Sequence, residues 1–220
     1  MQDEAAARAA VLAAAQGMLG HGLSSGTSGN VSARLGDGRI VITPSQLPYP
    51  ELGPADLVLI TPDGELAGPA AAGRVPSSES LLHCACYRAF PEIGAVLHSH
   101  PPFATMFAAA RQPVPAVIDE AVLFLGGDIP VTDYALSGSA QVGDNAVRVL
   151  ADRASALVAS HGLVTIAASP AQALQCAVVT EHCAQVAWGT RALGGHAALP
   201  VTTVQAFSAA YRQARRSGHG

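Results

Sequence analysis

The apolar positions of this chain alternate between helical and extended spacing. Residues 4–19 are rich in alanine, the strongest helix former, and run into Gly20 and Gly22, so one helix is predicted there. A glycine-rich stretch, 22–30, then leads to two short β-rich runs, 31–34 and 39–43, around the tight turn Gly36-Asp37-Gly38. Residues 56–61 read as another strand closed by Pro62-Asp63-Gly64, and 77–90 carry helical spacing that begins just after Pro76. A strand over 95–100 is stopped by Pro101-Pro102. Beyond it the pattern predicts a helix over 102–110, a short strand at 129–132 and a helix over 139–150. Two strand-like runs, 156–160 and 163–167, flank His161-Gly162 and precede a long helix over 170–193.

Strands joined by tight turns and interspersed with helices predict an α/β fold: a three-layer α/β/α arrangement with a central, mostly antiparallel or mixed sheet. A chain of 220 residues, half of them apolar, suffices for one core, so a single domain over 1–220 is expected. The sequence shows no internal repeat or linker. Its N-terminus lacks the positive region of a secretory signal, Arg8 interrupts the alanine run, and no apolar stretch is long enough to span a bilayer. A soluble, cytoplasmic protein without a membrane partner is the expectation.

Charge narrows the chemistry. The net charge is −4 and the basic residues are scattered, apart from Arg212, Arg215 and Arg216, so no positive stripe suited to nucleic acid is present. All twelve basic residues are arginine. Without lysine the chain forms no Schiff base with a carbonyl substrate, anchors no pyridoxal phosphate and builds no P-loop. A carbanion formed here needs another stabiliser, with a metal the leading candidate. The four cysteines, at 84, 86, 176 and 183, contain no CxxC pair and read as buried free thiols.

In the run ending His98-Ser99-His100, alternation along a strand turns both imidazoles to one side. Such a pair either grips one cation or forms part of a hydrogen-bonded core. His161 lies at the break between two apolar runs, where a turn delivers a third imidazole. Glu79, in Pro76-Ser77-Ser78-Glu79, falls in the first turn of a helix, where an acid complements the helix dipole and serines cap free amides. The same free amides and hydroxyls bind a phosphate, and the loop Gly26-Thr27-Ser28-Gly29-Asn30 offers a second cradle of that kind.

Taken in order, Gly-Thr-Ser-Gly-Asn-Val-Ser (26–32), Ile-Thr-Pro-Ser (42–45), Pro-Ser-Ser-Glu (76–79), His-Ser-His (98–100) and Ser-His-Gly-Leu (160–163) resemble the class II aldolase/adducin family over nearly the whole chain. The resemblance is greatest to the members that cleave L-fuculose 1-phosphate. It implies Zn²⁺, or another divalent ion such as Mn²⁺ or Co²⁺, held by His98, His100 and His161, with Glu79 as catalytic acid/base and additional metal contact. It also implies phosphate binding by Gly29, Asn30, Ser45, Gln46, Ser77 and Ser78. The expected reaction is reversible retro-aldol cleavage of a ketose 1-phosphate, such as L-fuculose 1-phosphate or 5-deoxyribulose 1-phosphate, to dihydroxyacetone phosphate and an aldehyde. Other members epimerise, dehydrate or decarboxylate sugar phosphates with the same metal, and the adducin branch is a binding module without catalysis.

One departure stands out. The family's mid-chain tyrosine is replaced by the stretch Pro115-Ala-Val-Ile-Asp119-Glu120, so Asp119 or Glu120 is the expected substitute as base for the cleaved hydroxyl. The resemblance further implies a homotetramer in which a C-terminal tyrosine reaches a neighbouring site, and Tyr211 occupies that neighbourhood.

Overall fold

The computed structural model describes residues 3–71 and 73–217. Among them a six-stranded sheet is built from β1 (Asn30–Arg34), β2 (Ile40–Ile42), β3 (Val58–Ile60), β4 (Ala95–Ser99), β5 (Ser155–Val158) and β6 (Gly162–Ala167), in the order β3-β2-β1-β4-β6-β5. Every pairing between neighbouring strands is antiparallel, the first of the two arrangements expected.

Strand alternation feeds two cores. Val31, Ala33, Val41, Ala95, Leu97 and Leu163 face one layer, formed by α1 (Glu4–Gly20), α3 (Pro102–Ala110) and α6 (Pro170–Thr190), with α4 (Asp119–Leu125) packed onto α6 and α7 (Val201–Arg216) onto α4. Ile40, Ile42, Val96, Val164 and Ile166 face the other layer, formed by α2 (Ser80–Ala89) and α5 (Ala140–Val149). This is the three-layer α/β/α architecture, and burial of both sheet faces explains the continuous apolar runs in the strands. The four cysteines are free and buried, two in each core, and burial pushes the Cys86 and Cys176 thiols up to about 12. Among the described residues no helix is long and apolar enough to cross a membrane.

Several elements differ from expectation. The strand expected at 129–132 is reduced to single bridges, Val114 to Ile129 antiparallel and Val131 to Leu157 parallel. Pro130 in its middle has no N–H to give, and its carbonyl only accepts from Leu157. Two helices were not anticipated: the short α4, and α7, whose Tyr211 is buried. The long helix ends at Thr190 and passes into a 3₁₀ turn over Arg191–Leu193. Glu79 is the N-cap of α2 rather than a first-turn residue, and its side chain does not cap; Ser77 Oγ accepts the Glu79 N–H at 3.2 Å instead.

Candidate active site

The central strand β4 fixes the site. Its alternation sends Leu97 into one core and His98, like Val96, toward the α2 layer, while antiparallel pairing sets β1 and β6 on its two sides. Asn30 is in register with His98, which places its amide on the same face. His161 sits in the three-residue turn between β5 and β6, with Ser160 in the left-handed region at φ 57°. Gly162 is required beside it, since a Cβ there would lie 2.5 Å from Ser99 O and 2.6 Å from His100 Cδ2. The bare backbone lets the turn press against the end of β4.

Glu79, His98, His100 and His161 converge so that one ligand atom from each lies within 4.8 Å of the others. His98 Nε2 is 2.9 Å from His100 Nε2 and 3.1 Å from Glu79 Oε2, and His161 Nε2 is 3.3 Å from Glu79 Oε1. The three ring centroids are 4.7 to 4.9 Å apart. His98 Nδ1 donates to Leu163 O at 2.8 Å, because a carbonyl only accepts. In the neutral tautomer this leaves the Nε2 lone pair aimed at a carboxylate and a second imidazole. Electron pairs converging in this way repel unless a cation sits among them, and carbonyl-oriented imidazoles are the usual outer support of metal ligands. The donor set, three nitrogens and a carboxylate, suits Zn²⁺ or a similar divalent ion.

Electrostatics agree. Burial, followed by the neighbouring His98 and His161, lowers His100 to about 4, and burial with His98 also lowers His161, so both rings are neutral at pH 7, the form that can bind a metal. Burial alone would raise the Glu79 carboxyl. When His98 is protonated, its hydrogen bond and charge, aided by His161 and Asn30, outweigh burial and hold the group well below the usual carboxylate range.

Beside the cluster opens a cleft of about 280 Å³. Gly29, Asn30, Ser45, Gln46, Ser77 and Ser78 all line it, so the six residues matched to phosphate binding come together. Tyr49 OH donates to Gly29 O at 2.6 Å, securing the 26–30 loop, and Ser45 N–H donates to Val75 O, joining the 44–47 loop to the start of α2. Gln46 is in the left-handed region at φ 60°, a strained conformation for a residue other than glycine and a common feature of functional loops. Away from Glu79, His100 and His161, the lining offers hydroxyls, amides and backbone, with no arginine among the described residues.

Asp119, Glu120 and Tyr211 are not brought into this cleft within the chain. Asp119 and Glu120 are exposed in the first turn of α4. Tyr211 is only 4% exposed and packs against Gly126 in the core of its own chain. Three residues that sequence reasoning did not assign to the site belong to it. Ser137 Oγ donates to Glu79 Oε1 at 3.1 Å from a loop with no motif to mark it. His83, read as a packing residue, bonds Asn30 from behind. Glu181 accepts the N–H groups of Phe103 and Ala104, both at 2.9 Å, and so anchors the start of α3 just after His100.

Residues 9–188 match the family described as Class II Aldolase and Adducin N-terminal domain. The chain is 38% identical over 167 residues to a 5-methylthioribulose-1-phosphate/5-deoxyribulose-1-phosphate aldolase of Rhodospirillum rubrum, covering 76% of this chain and 73% of that protein. It is 34% identical over 194 residues to a 5-deoxy-D-ribulose 1-phosphate aldolase of Bacillus thuringiensis, covering 88% and 89%. Among solved structures, an L-fuculose 1-phosphate aldolase superposes with a TM-score of 0.87 at 26% identity, covering 94% of this chain and 96% of the other.

Proposed function

This chain belongs to the class II aldolase and adducin family and is an aldolase, a lyase of the metal-dependent kind, and we propose that it cleaves a ketose 1-phosphate to dihydroxyacetone phosphate and a short aldehyde. The observation that carries the proposal is the junction of two half-sites: a Glu–His₃ cluster opening directly onto a cleft of neutral anion-binding groups. The preferred substrate is a deoxypentulose phosphate of the 5-deoxyribulose 1-phosphate type, with L-fuculose 1-phosphate the alternative. Two relatives bear names of the first kind, and the mid-chain stretch lacks the tyrosine expected of the second.

His98, His100 and His161 would hold Zn²⁺, with Glu79 beside them. A divalent ion there supplies Lewis-acid stabilisation of the negative charge that develops on the ketose oxygens. The residues of the chain do the rest. Ser45, Ser77, Ser78 and the Asn30 amide hold the phosphate at one end of the cleft, which sets the scissile C3–C4 bond near Glu79. A base removes the proton of the C4 hydroxyl, the C3–C4 bond breaks, and its electron pair passes toward the C2 carbonyl as the aldehyde forms. Glu79, ionised at rest, takes up a proton from solvent and delivers it to C3, completing dihydroxyacetone phosphate, while the base returns the C4 proton to solvent.

Asp119 or Glu120 is proposed as the base for the C4 hydroxyl. Their exposure at the start of α4 suits delivery into the cleft of an adjoining copy, in keeping with a cytoplasmic homotetramer. A coupled assay for dihydroxyacetone phosphate, run over a panel of ketose 1-phosphates with and without chelator, tests the reading. Turnover of a deoxypentulose 1-phosphate that ceases on metal removal and returns with Zn²⁺ is expected. Activity that survives complete metal removal overturns the reading.

A further inference from the structure

Behind Glu79 runs a buried chain of polar side chains that leaves the cleft and ends in the α2 core. Asn30 Nδ2 is 2.9 Å from Glu79 Oε2, His83 Nε2 is 2.5 Å from Asn30 Oδ1, Ser32 Oγ is 2.7 Å from His83 Nδ1, and Tyr87 OH is 2.8 Å from Ser32 Oγ. All four residues behind the carboxylate are buried, with His83 and Ser32 wholly so.

The direction of every bond is fixed from the carboxylate inward. An ionised carboxylate only accepts, so the Asn30 NH₂ donates to Glu79 and its carbonyl faces His83. That carbonyl only accepts, so His83 Nε2 carries the hydrogen. In the neutral imidazole Nδ1 must then accept, which takes the single proton of Ser32, and the Ser32 oxygen accepts in turn from Tyr87. Burial, with the nearby His98, lowers His83 to about 3 and keeps the ring neutral.

We propose that His83 is a positioning residue of the lyase. It locks the Asn30 amide with its NH₂ toward Glu79 and the cleft, so that one side chain serves both the carboxylate and the bound phosphate. This rests on the reading of Glu79 as the proton-transferring group and of Asn30 as a phosphate donor. Without His83 the amide is free to turn over, which would set its oxygen against the carboxylate and withdraw a donor from the phosphate. Burial alone is a poor account of a histidine here. Leu82, Cys84 and Cys86 fill the α2 core around it without a polar group beyond a thiol, while His83 contributes both ring nitrogens to a line that terminates on the site.

The test uses the Zn²⁺-loaded full chain carrying His83→Leu, His83→Asn or His83→Gln, each with Asn30 native or changed to Ala. The glutamine side chain extends far enough to replace the Nε2 donor to Asn30, whereas asparagine extends only to Ser32. With Asn30 native, His83→Asn and His83→Leu are expected to lower kcat about 10- to 100-fold, the range for loss of an outer partner. They are also expected to weaken inorganic phosphate binding severalfold by calorimetry, while His83→Gln stays within about threefold of wild type on both readouts. In the Asn30→Ala background the His83 changes should add less than about twofold. Equal losses in both backgrounds, or no loss in His83→Asn, overturn the proposal, and His83→Asn with His83→Gln decides the matter if His83→Leu does not fold. If wild type cleaves no ketose 1-phosphate the reaction assignment fails, and phosphate binding across the same set still judges the role of His83.

Discussion

Ser137 and Glu79, 58 residues apart in the chain, meet through a hydroxyl-to-carboxylate hydrogen bond of 3.1 Å at the mouth of the cleft. The contact exists because α5 packs closely on α2, with Gly143 against Ala85, so the loop before α5 is held over the loop before α2. Ser137 holds the Oε1 side of a carboxylate whose Oε2 side is held by Asn30. Its partial exposure weakens the bond relative to a buried charge-assisted one. Ser137→Ala should therefore lower turnover by roughly five- to tenfold, about 1 kcal/mol, with no change in melting temperature. Steady-state kinetics decide this, and unchanged kcat/KM would remove Ser137 from the site.

Loss of a ligand should be felt far more strongly than loss of a support. His98→Ala removes the central nitrogen of the cluster, the one in contact with both His100 and Glu79. Zn²⁺ affinity is expected to fall by more than about 100-fold, beyond the range seen when only an outer partner is lost. Metal content after dialysis against a weak chelator measures it. A variant that retains one ion per chain would place the metal elsewhere.

The metal-free chain should lose stability as the solution is acidified from neutrality. His83 and His100 are held neutral, at about 3 and about 4, whereas the same imidazoles in the unfolded chain titrate near 6.5. The unfolded state therefore takes up protons first. The stability that these two neutral rings represent is complete above about 6.5 and is lost progressively below it, until the folded rings themselves protonate near 4 and 3. The slope approaches about 1.4 kcal/mol per pH unit for each ring. Urea unfolding at pH 7, 6 and 5 tests the sign, and a flat profile across that range contradicts it.

Glu181→Ala should loosen the segment that follows His100. It leaves the amides of Phe103 and Ala104 at the start of α3 without their carboxylate, a loss comparable to that of a helix cap. A destabilisation of about 1–2 kcal/mol is expected, or roughly 2–8 °C in melting temperature for a chain of this size. Differential scanning calorimetry of the metal-free protein reads it. A melting temperature within experimental scatter of wild type would show that Pro101 and Pro102 alone hold the turn.

What the sequence disclosed follows from the range of the interactions involved. Alternation along a strand is local, so the shared face of His98 and His100 was readable from their spacing, and the apolar runs around them announced a sheet covered on both sides. The α7 helix was readable too, since Val204, Phe207 and Tyr211 repeat at helical spacing. It was missed because the rest of that segment is polar and lacks a strong starting signal. The short α4 gave no such signal, and Pro130 disqualified the strand expected around it. Whether Glu79 capped a helix or faced a metal could not follow from its own segment, because both uses place an acid beside the same serines. Ser137, His83 and Glu181 act across separations of 53 to 78 residues with ordinary partners, an amide, a carboxylate or a backbone N–H. Only the packing of α2 on the sheet, of α5 on α2 and of α6 on α3 selects those partners.

The antiparallel placing of β4 between β1 and β6 also orders events in time. The four groups of the candidate metal site come from positions 79, 98, 100 and 161, and the last of them is delivered only by the turn between β5 and β6. During synthesis, a chain that has emerged only as far as β4 presents two imidazoles and a carboxylate on an unfinished sheet whose edge is still unpaired. Assembly of all four groups must wait until β6 has closed that edge. The complete cluster is thus a late product of synthesis, and a chain halted before residue 161 lacks the fourth of its groups.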